Sequence, residues 1–253
     1  MDVPRLLECL AADFARLRAV ASTDLAATVP TCPDWTVADL ARHVGQAYLQ
    51  KTVTMREGAE PDPWPPAGLA DEEPLALLDR TYADLLAEFA AHEPEDPADT
   101  WYAPDRSVRF LIRRMAQETV IHRIDAELAT GRPIAPIPAD LAVDGIDELL
   151  KVYVSFSVRT WGDSFTEILA DSPGRTYAVR TDDASWHVRT GPGRFTVEDG
   201  ADEKADVTIS GAPADVLRWV WNRTVAGEPS GVTVDGATEA VEELRRCIAV
   251  VTR

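Results

Sequence analysis

The chain has 253 residues, of which 45% are hydrophobic and 27% charged, so it can bury a real core and is too apolar for wholesale disorder. Its formal net charge of −18 repels phosphate backbones and anionic membranes, which argues against a nucleic-acid or membrane partner. Three widely spaced cysteines, Cys9, Cys32 and Cys247, contain no CxxC pair and fit a reducing compartment without a disulfide framework or cysteine-rich zinc knuckle.

Residues 3–21 place Leu6, Leu7, Leu10, Phe14, Leu17 and Val20 at helical spacing, and Asp2, Arg5, Glu8 and Asp13 break any apolar leader. With no apolar run of about 18 residues anywhere, a cytoplasmic protein is expected. Thr31-Cys32-Pro33-Asp34-Trp35 reads as a turn. Thr36 is then a natural N-cap, with Asp39 in the capping-box position, for a helix over 37–55. Pro61, Pro63, Pro65 and Pro66 make the next segment a loop. Helices are predicted over 73–92 and 107–130, the latter stopped by Gly131 and Pro133. Four helices in this length predict a four-helix bundle over residues 1–135.

The pattern changes after Pro138. A helix over 139–157 precedes short alternating stretches at 177–181, 185–190, 194–198 and 206–210, with turns at Asp182-Asp183 and Gly191-Pro192-Gly193. A helix over 212–222, a strand over 232–234 and a helix over 237–250 complete residues 136–253. This half reads as a small α+β domain with an antiparallel sheet.

Only four histidines occur, and each has an acid four residues before it, so the metal-like spacing of Glu118 and His122 selects nothing by itself. Burial pattern is more selective. On the fourth helix Leu111, Met115, Ala126 and Ala129 share an apolar stripe with Glu118 and His122, while Arg113, Arg123 and Glu127 point to the other side. Arg114, Glu118, His122 and Asp125 form a polar column within the apolar face, and buried groups of this kind need partners. His43, beside Leu40 and Ala47 on the second helix, is the natural third ligand. Two imidazoles and one carboxylate leave corners open on a metal, as catalytic sites do. Such ligands suit zinc best, and iron(II) or nickel also fit. The alternative is a Glu118–His122 pair that only holds the bundle together. His92, at a helix end among acids, is expected to be solvated, and His187 to lie at the surface or on a sheet face.

The run Thr31-Cys32-Pro33-Asp34-Trp35-Thr36-Val37 with Leu40 and His43, and the run from Glu118 to Glu127, resemble the mycothiol-dependent maleylpyruvate isomerase family. The segments 142–150 and 217–223 are similar to that family's hinge region and C-terminal segment. The resemblance implies a DinB-like four-helix domain followed by a sterol-carrier-like α+β domain. It also implies a divalent metal, usually zinc, on His43, Glu118 and His122, with mycothiol as co-substrate. A second-domain arginine is implied to hold the substrate carboxylate; Arg223 is the nearest motif match and Arg218 the fallback. Gln117 and Asp34 depart from residues common in relatives, histidine and glycine respectively, and neither is a ligand.

The resulting expectation is metal- and thiol-dependent transfer or cis–trans isomerisation on a small electrophile, by a monomer or homodimer. Two rivals stand beside it. A non-catalytic carrier would use Trp161, Trp186, Trp219 and Trp221 to line an apolar pocket. A metal-dependent hydrolase would activate water instead of thiol. Cys32 precedes the helix of His43, where a thiolate is favoured, but the turn itself reads as structural. Trp35 is expected to pack against the bundle end, and Asp125 to orient a neighbouring ligand or Arg114.

Overall fold

A computed structural model describes residues 1–200, 204–224 and 231–252. They pack as two units, Met1–Ala135 and Pro136–Arg253.

The first unit holds α1 (Val3–Ala21), α2 (Val37–Glu57), α3 (Pro74–Ala91) and α4 (Val108–Ala129), with a 3-10 turn at Leu69–Asp71. Each long helix starts where the chain supplies a cap. Asp2, Thr36, Glu73 and Ser107 accept from backbone amides in the first turns, and Thr36 and Asp39 complete a reciprocal capping box. α1 packs on α4 and α2 on α3. Gly45 lets α2 approach α3 closely, since a Cβ there would meet Leu77 Cγ at 3.0 Å and Leu78 Cα at 3.3 Å. α4 is buried on nearly all sides. Its "other" face is therefore interior as well: Arg123 pairs with Asp13 (2.9 Å) and Glu127 (2.8 Å) between α4 and α1, and Arg16 joins Glu127 at 2.7 Å.

In the second unit the expected helix over 139–157 divides. α5 (Ala139–Asp147) runs into a π-helical stretch, Glu148–Ser155, and then α6 (Phe156–Thr160). The wider π repeat moves the apolar stripe by a residue, which a reading based on 3.6 residues per turn does not register. A 3-10 turn at Gly162–Phe165 and the short α7 (Thr166–Leu169) follow, both unanticipated. Five strands come next: β1 (Thr176–Arg180), β2 (Ser185–Gly191), β3 (Arg194–Asp199), β4 (Val207–Gly211) and β5 (Val232–Gly236). α8 (Pro213–Val220) lies between β4 and β5, and α9 (Thr238–Thr252) closes the unit.

The strand order is β3-β2-β1-β4-β5. Three pairings are antiparallel as expected, but β1 and β4 are parallel, with Tyr177 opposite Val207 and Val179 opposite Ile209. The sheet is therefore mixed. Alternating hydrophobicity specifies strands and not their neighbours, so the sequence reading could not locate this pair. Trp186 donates to Asp147 Oδ1 (3.0 Å), Ser155 to the Phe195 carbonyl (3.1 Å), and Trp221 to the Gly145 carbonyl (3.1 Å). These bonds tie the long helical segment to the sheet and to the end of α8. Among the described residues, no helix is long and apolar enough to cross a membrane.

Candidate metal centre

α2 and α4 bring three chain-distant side chains together. His43 Nε2 and His122 Nε2 each lie 3.1 Å from the same oxygen, Glu118 Oε1. All three ligand atoms fall within 4.8 Å of one another. Ligand atoms about 2.0–2.2 Å from a tetrahedral zinc stand roughly 3.3 Å apart, a spacing that the two 3.1 Å contacts approach. The two imidazole rings meet edge to face, with centroids 4.9 Å apart.

The surroundings orient each group. His122 Nδ1 bonds Asp125 Oδ2 at 2.9 Å, which leaves Nε2 aimed at Glu118. A carboxylate on one ring nitrogen fixes the tautomer that offers a lone pair on the other. Asp125 is in turn held by Thr31, whose hydroxyl donates to Oδ1 at 2.5 Å. Thr31 stands in a turn closed by backbone bonds from Val29 N to Trp35 O (2.9 Å) and Trp35 N to Cys32 O (2.8 Å). Trp35 packs beside the cluster, its ring centroid 4.8 Å from that of His43. Arg114 takes the second Glu118 oxygen, Oε2, at 2.5 Å.

The polar column expected on α4 is thus a connected network. It is open on one side: the His43 side chain is 40% exposed, against 14% for Glu118 and 9% for His122. Burial alone would raise the pKa of the Glu118 carboxyl, but His122, His43 and Arg114 outweigh it and hold it well below the usual carboxylate range. Burial likewise opposes the His122 imidazolium. Glu118 and Asp125 reverse that effect and push His122 up to about 9.

Cys32 is a half-buried cysteine of the turn and takes part in no disulfide. The remaining histidines lie outside this cluster. His92 ends α3 beside Glu88 (3.2 Å) and Asp96 (3.5 Å), and His187 is buried in β2.

Arg223 lies within the second unit at 3% exposure, its Nη1 donating to the carbonyls of Trp221 (2.7 Å) and Thr252 (2.9 Å). Arg218 Nε donates to the Arg223 carbonyl at 3.2 Å. Of the four tryptophans weighed as pocket lining, Trp186, Trp219 and Trp221 are buried core residues, while Trp161 is exposed. Arg245 stacks over Trp219 at 3.7 Å.

Two contributors escaped the sequence reading. Thr31 lay inside the quoted turn, but nothing in its surroundings pointed to a partner 94 positions away. Lys51 is buried on α2, where its charge interacts with Arg114 and Glu118. The one sequence signal for it was its rarity, since Lys51 is the sole lysine of the first 150 residues.

Comparison with known proteins identifies the family and the fold. The family model for the mycothiol maleylpyruvate isomerase N-terminal domain matches residues 7–127, and the model for the family's C-terminal domain (MDMPI) matches residues 140–243. A crystal structure of the mycothiol-dependent maleylpyruvate isomerase superposes with a TM-score of 0.63 at 15% identity, covering 93% of each chain. A histidine-to-alanine mutant of the mycothiol-dependent maleylpyruvate isomerase gives 0.62 at 14% identity, with the same coverage. At such identities the likeness speaks for the fold. Among curated proteins, none matches the chain by sequence. With both models matched in order along the chain, this protein belongs to the mycothiol maleylpyruvate isomerase family.

Proposed function

We propose that the chain is a cytoplasmic, metal- and mycothiol-dependent enzyme acting on a small, carboxylated electrophile, with cis–trans isomerisation as its reaction. The observation that carries this reading is the convergence of His43 Nε2 and His122 Nε2, both 3.1 Å from Glu118 Oε1. Those three side chains would hold a divalent ion, and two nitrogens with one oxygen fit zinc. When bound, such an ion supplies a Lewis-acidic centre that favours a thiolate over a thiol at neutral pH.

The chain's own groups prepare that chemistry. Asp125 keeps the proton of His122 on Nδ1, and Thr31 keeps Asp125 in place. Arg114 balances the charge of Glu118 from the side away from the imidazoles. The low exposure of Glu118 and His122 limits water around the reacting atoms, while the exposed edge of His43 leaves an approach for thiol and substrate.

In the reaction, the thiolate sulfur bonds to one carbon of the cis double bond, and the electron pair moves into the conjugated carbonyl as an enolate. The former double bond, now single, rotates. Return of the electron pair expels the thiolate and leaves the trans isomer, so thiol is regenerated and nothing is oxidised or reduced.

Native mass spectrometry and a maleylpyruvate assay with and without mycothiol test the proposal. About one zinc per chain and a rate that requires thiol are expected. A chain without stoichiometric metal overturns the reading, and full turnover without thiol shifts it to metal-activated water.

A further inference from the structure

Lys51 lies on α2, one turn past Tyr48, whose hydroxyl meets Thr119 Oγ1 of α4 at 2.6 Å. Residues three apart on a helix share a face, so Lys51 follows Tyr48 along the side of α2 turned toward α4. On α4, Arg114 stands one turn from Glu118, on the stripe that also carries His122. Both cations are buried: Lys51 is 8% exposed and Arg114 3%. The ammonium of Lys51 bonds the Gln50 side-chain oxygen at 3.1 Å and reaches Glu60, which is itself 44% exposed, only at 3.5 Å. Burial lowers the Lys51 pKa and Arg114 lowers it further, while Glu60 and Glu118 offset part of this. A buried lysine held this loosely is costly if stability is its only purpose.

Charge balance points the same way. With neutral imidazoles and Glu60 swung out to solvent, Lys51 and Arg114 offset Glu118 and Asp125. A divalent ion on the cluster then leaves two positive charges in excess. An anionic ligand relieves that excess, and a ligand carrying two negative charges cancels it.

We propose that Lys51 and Arg114 form an anion subsite beside the His43–Glu118–His122 cluster, and that it takes one carboxylate of a small dicarboxylic substrate. The inference deepens the metal reading above and rests on it for the substrate's reacting end. Arg114 is one helical turn, about 6 Å, from Glu118, so the bound carboxylate and the reacting carbon belong to one small molecule. The carboxylate takes the position on Lys51 that the exposed Glu60 holds, and Glu60 swings to solvent.

The test titrates maleate by calorimetry into zinc-loaded and metal-free protein, for the wild type, Lys51→Met and Lys51→Arg, with zinc content and Tm measured alongside. Met fills similar space without a buried charge, so Lys51→Met should fold at least as stably as the wild type. We expect it to bind maleate at least about tenfold more weakly at unchanged zinc content, and Lys51→Arg to stay within about threefold, because the charge is kept. Equal maleate affinity in the wild type and Lys51→Met overturns the subsite. Inorganic phosphate is the second probe. If it binds as tightly as maleate and is lost with Lys51, the site is a general anion site and the carboxylate assignment falls. Should the chain take up no zinc, the metal reading fails on its own, and the metal-free titration still decides the subsite. Weaker maleate binding by Lys51→Met supports it there, and equal binding overturns it.

Discussion

Each unit places a helix glutamate in its interior, and the two are satisfied in opposite ways. In the second unit, Glu243 Oε1 accepts from Thr190 (2.6 Å), Tyr177 (3.0 Å) and Ser172 (3.1 Å), with Arg175 at 3.6 Å from Oε2. Three neutral hydroxyls and one peripheral cation complete that carboxylate, which locks α9 to the sheet. Burial and the Glu243 charge push the Tyr177 hydroxyl well above its ordinary range and the Cys247 thiol up to about 12, so neither ionises at neutral pH. Glu118 instead faces two imidazoles and a guanidinium, all nitrogen groups, on a face that reaches solvent through His43. On the proposed reading, donor type separates a structural carboxylate from a chemical one. Hydroxyls close a site, whereas imidazoles that converge on one oxygen leave it ready for a cation.

The largest expected effect breaks the open site. His122→Ala should reduce bound zinc from about one per chain to near zero, read by native mass spectrometry, while the second unit keeps its fold. Retention of metal would make the two glutamates alike. Next comes the closed site. Glu243→Ala leaves three buried hydroxyls without their acceptor and should cost about 3 kcal/mol in denaturant unfolding, with zinc affinity untouched. Asp125→Asn lies between, since it keeps the fold and loosens the ring orientation of His122. A loss of about 10–100-fold in zinc affinity is expected, with a smaller loss for Thr31→Val.

The last prediction sharpens the contrast through pH. In the metal-free protein the His122 pKa is raised above its unfolded value, so its contribution to stability is full below about 6.5 and is lost as pH rises through about 9. Zinc requires the neutral ring. Between pH 6 and 8 the apparent zinc affinity should therefore rise about tenfold per unit, with about one proton released per ion. Calorimetry in two buffers of different ionisation enthalpy reads that proton directly, and a flat profile would contradict it.

How much of this was visible in the sequence depends on how local the cause is. The cap of α2 is written within a single turn of helix and could be read directly, whereas the equally local Glu118–His122 spacing gained meaning only from the apolar stripe around it. His43 needed the assumption that two apolar faces meet. The stripe argument was one-sided, because α4 packs against α1 as well, and Arg123 and Glu127 proved interior. Thr31, the depth of Lys51 and the parallel β1–β4 pair depend on which segments become neighbours. No periodicity within a window of 10 or 20 residues encodes that.

The Thr31–Asp125 bond joins positions 94 residues apart, and His43 and Glu118 are separated by 75. A nascent chain that has made only α1 and α2 therefore offers His43 without the carboxylate that would hold an ion with it. The complete grip arises after the last helix of the bundle has emerged and docked. On the proposed metal reading, ion capture is a late event of biogenesis, and it rewards only those molecules whose long-range closure has already succeeded.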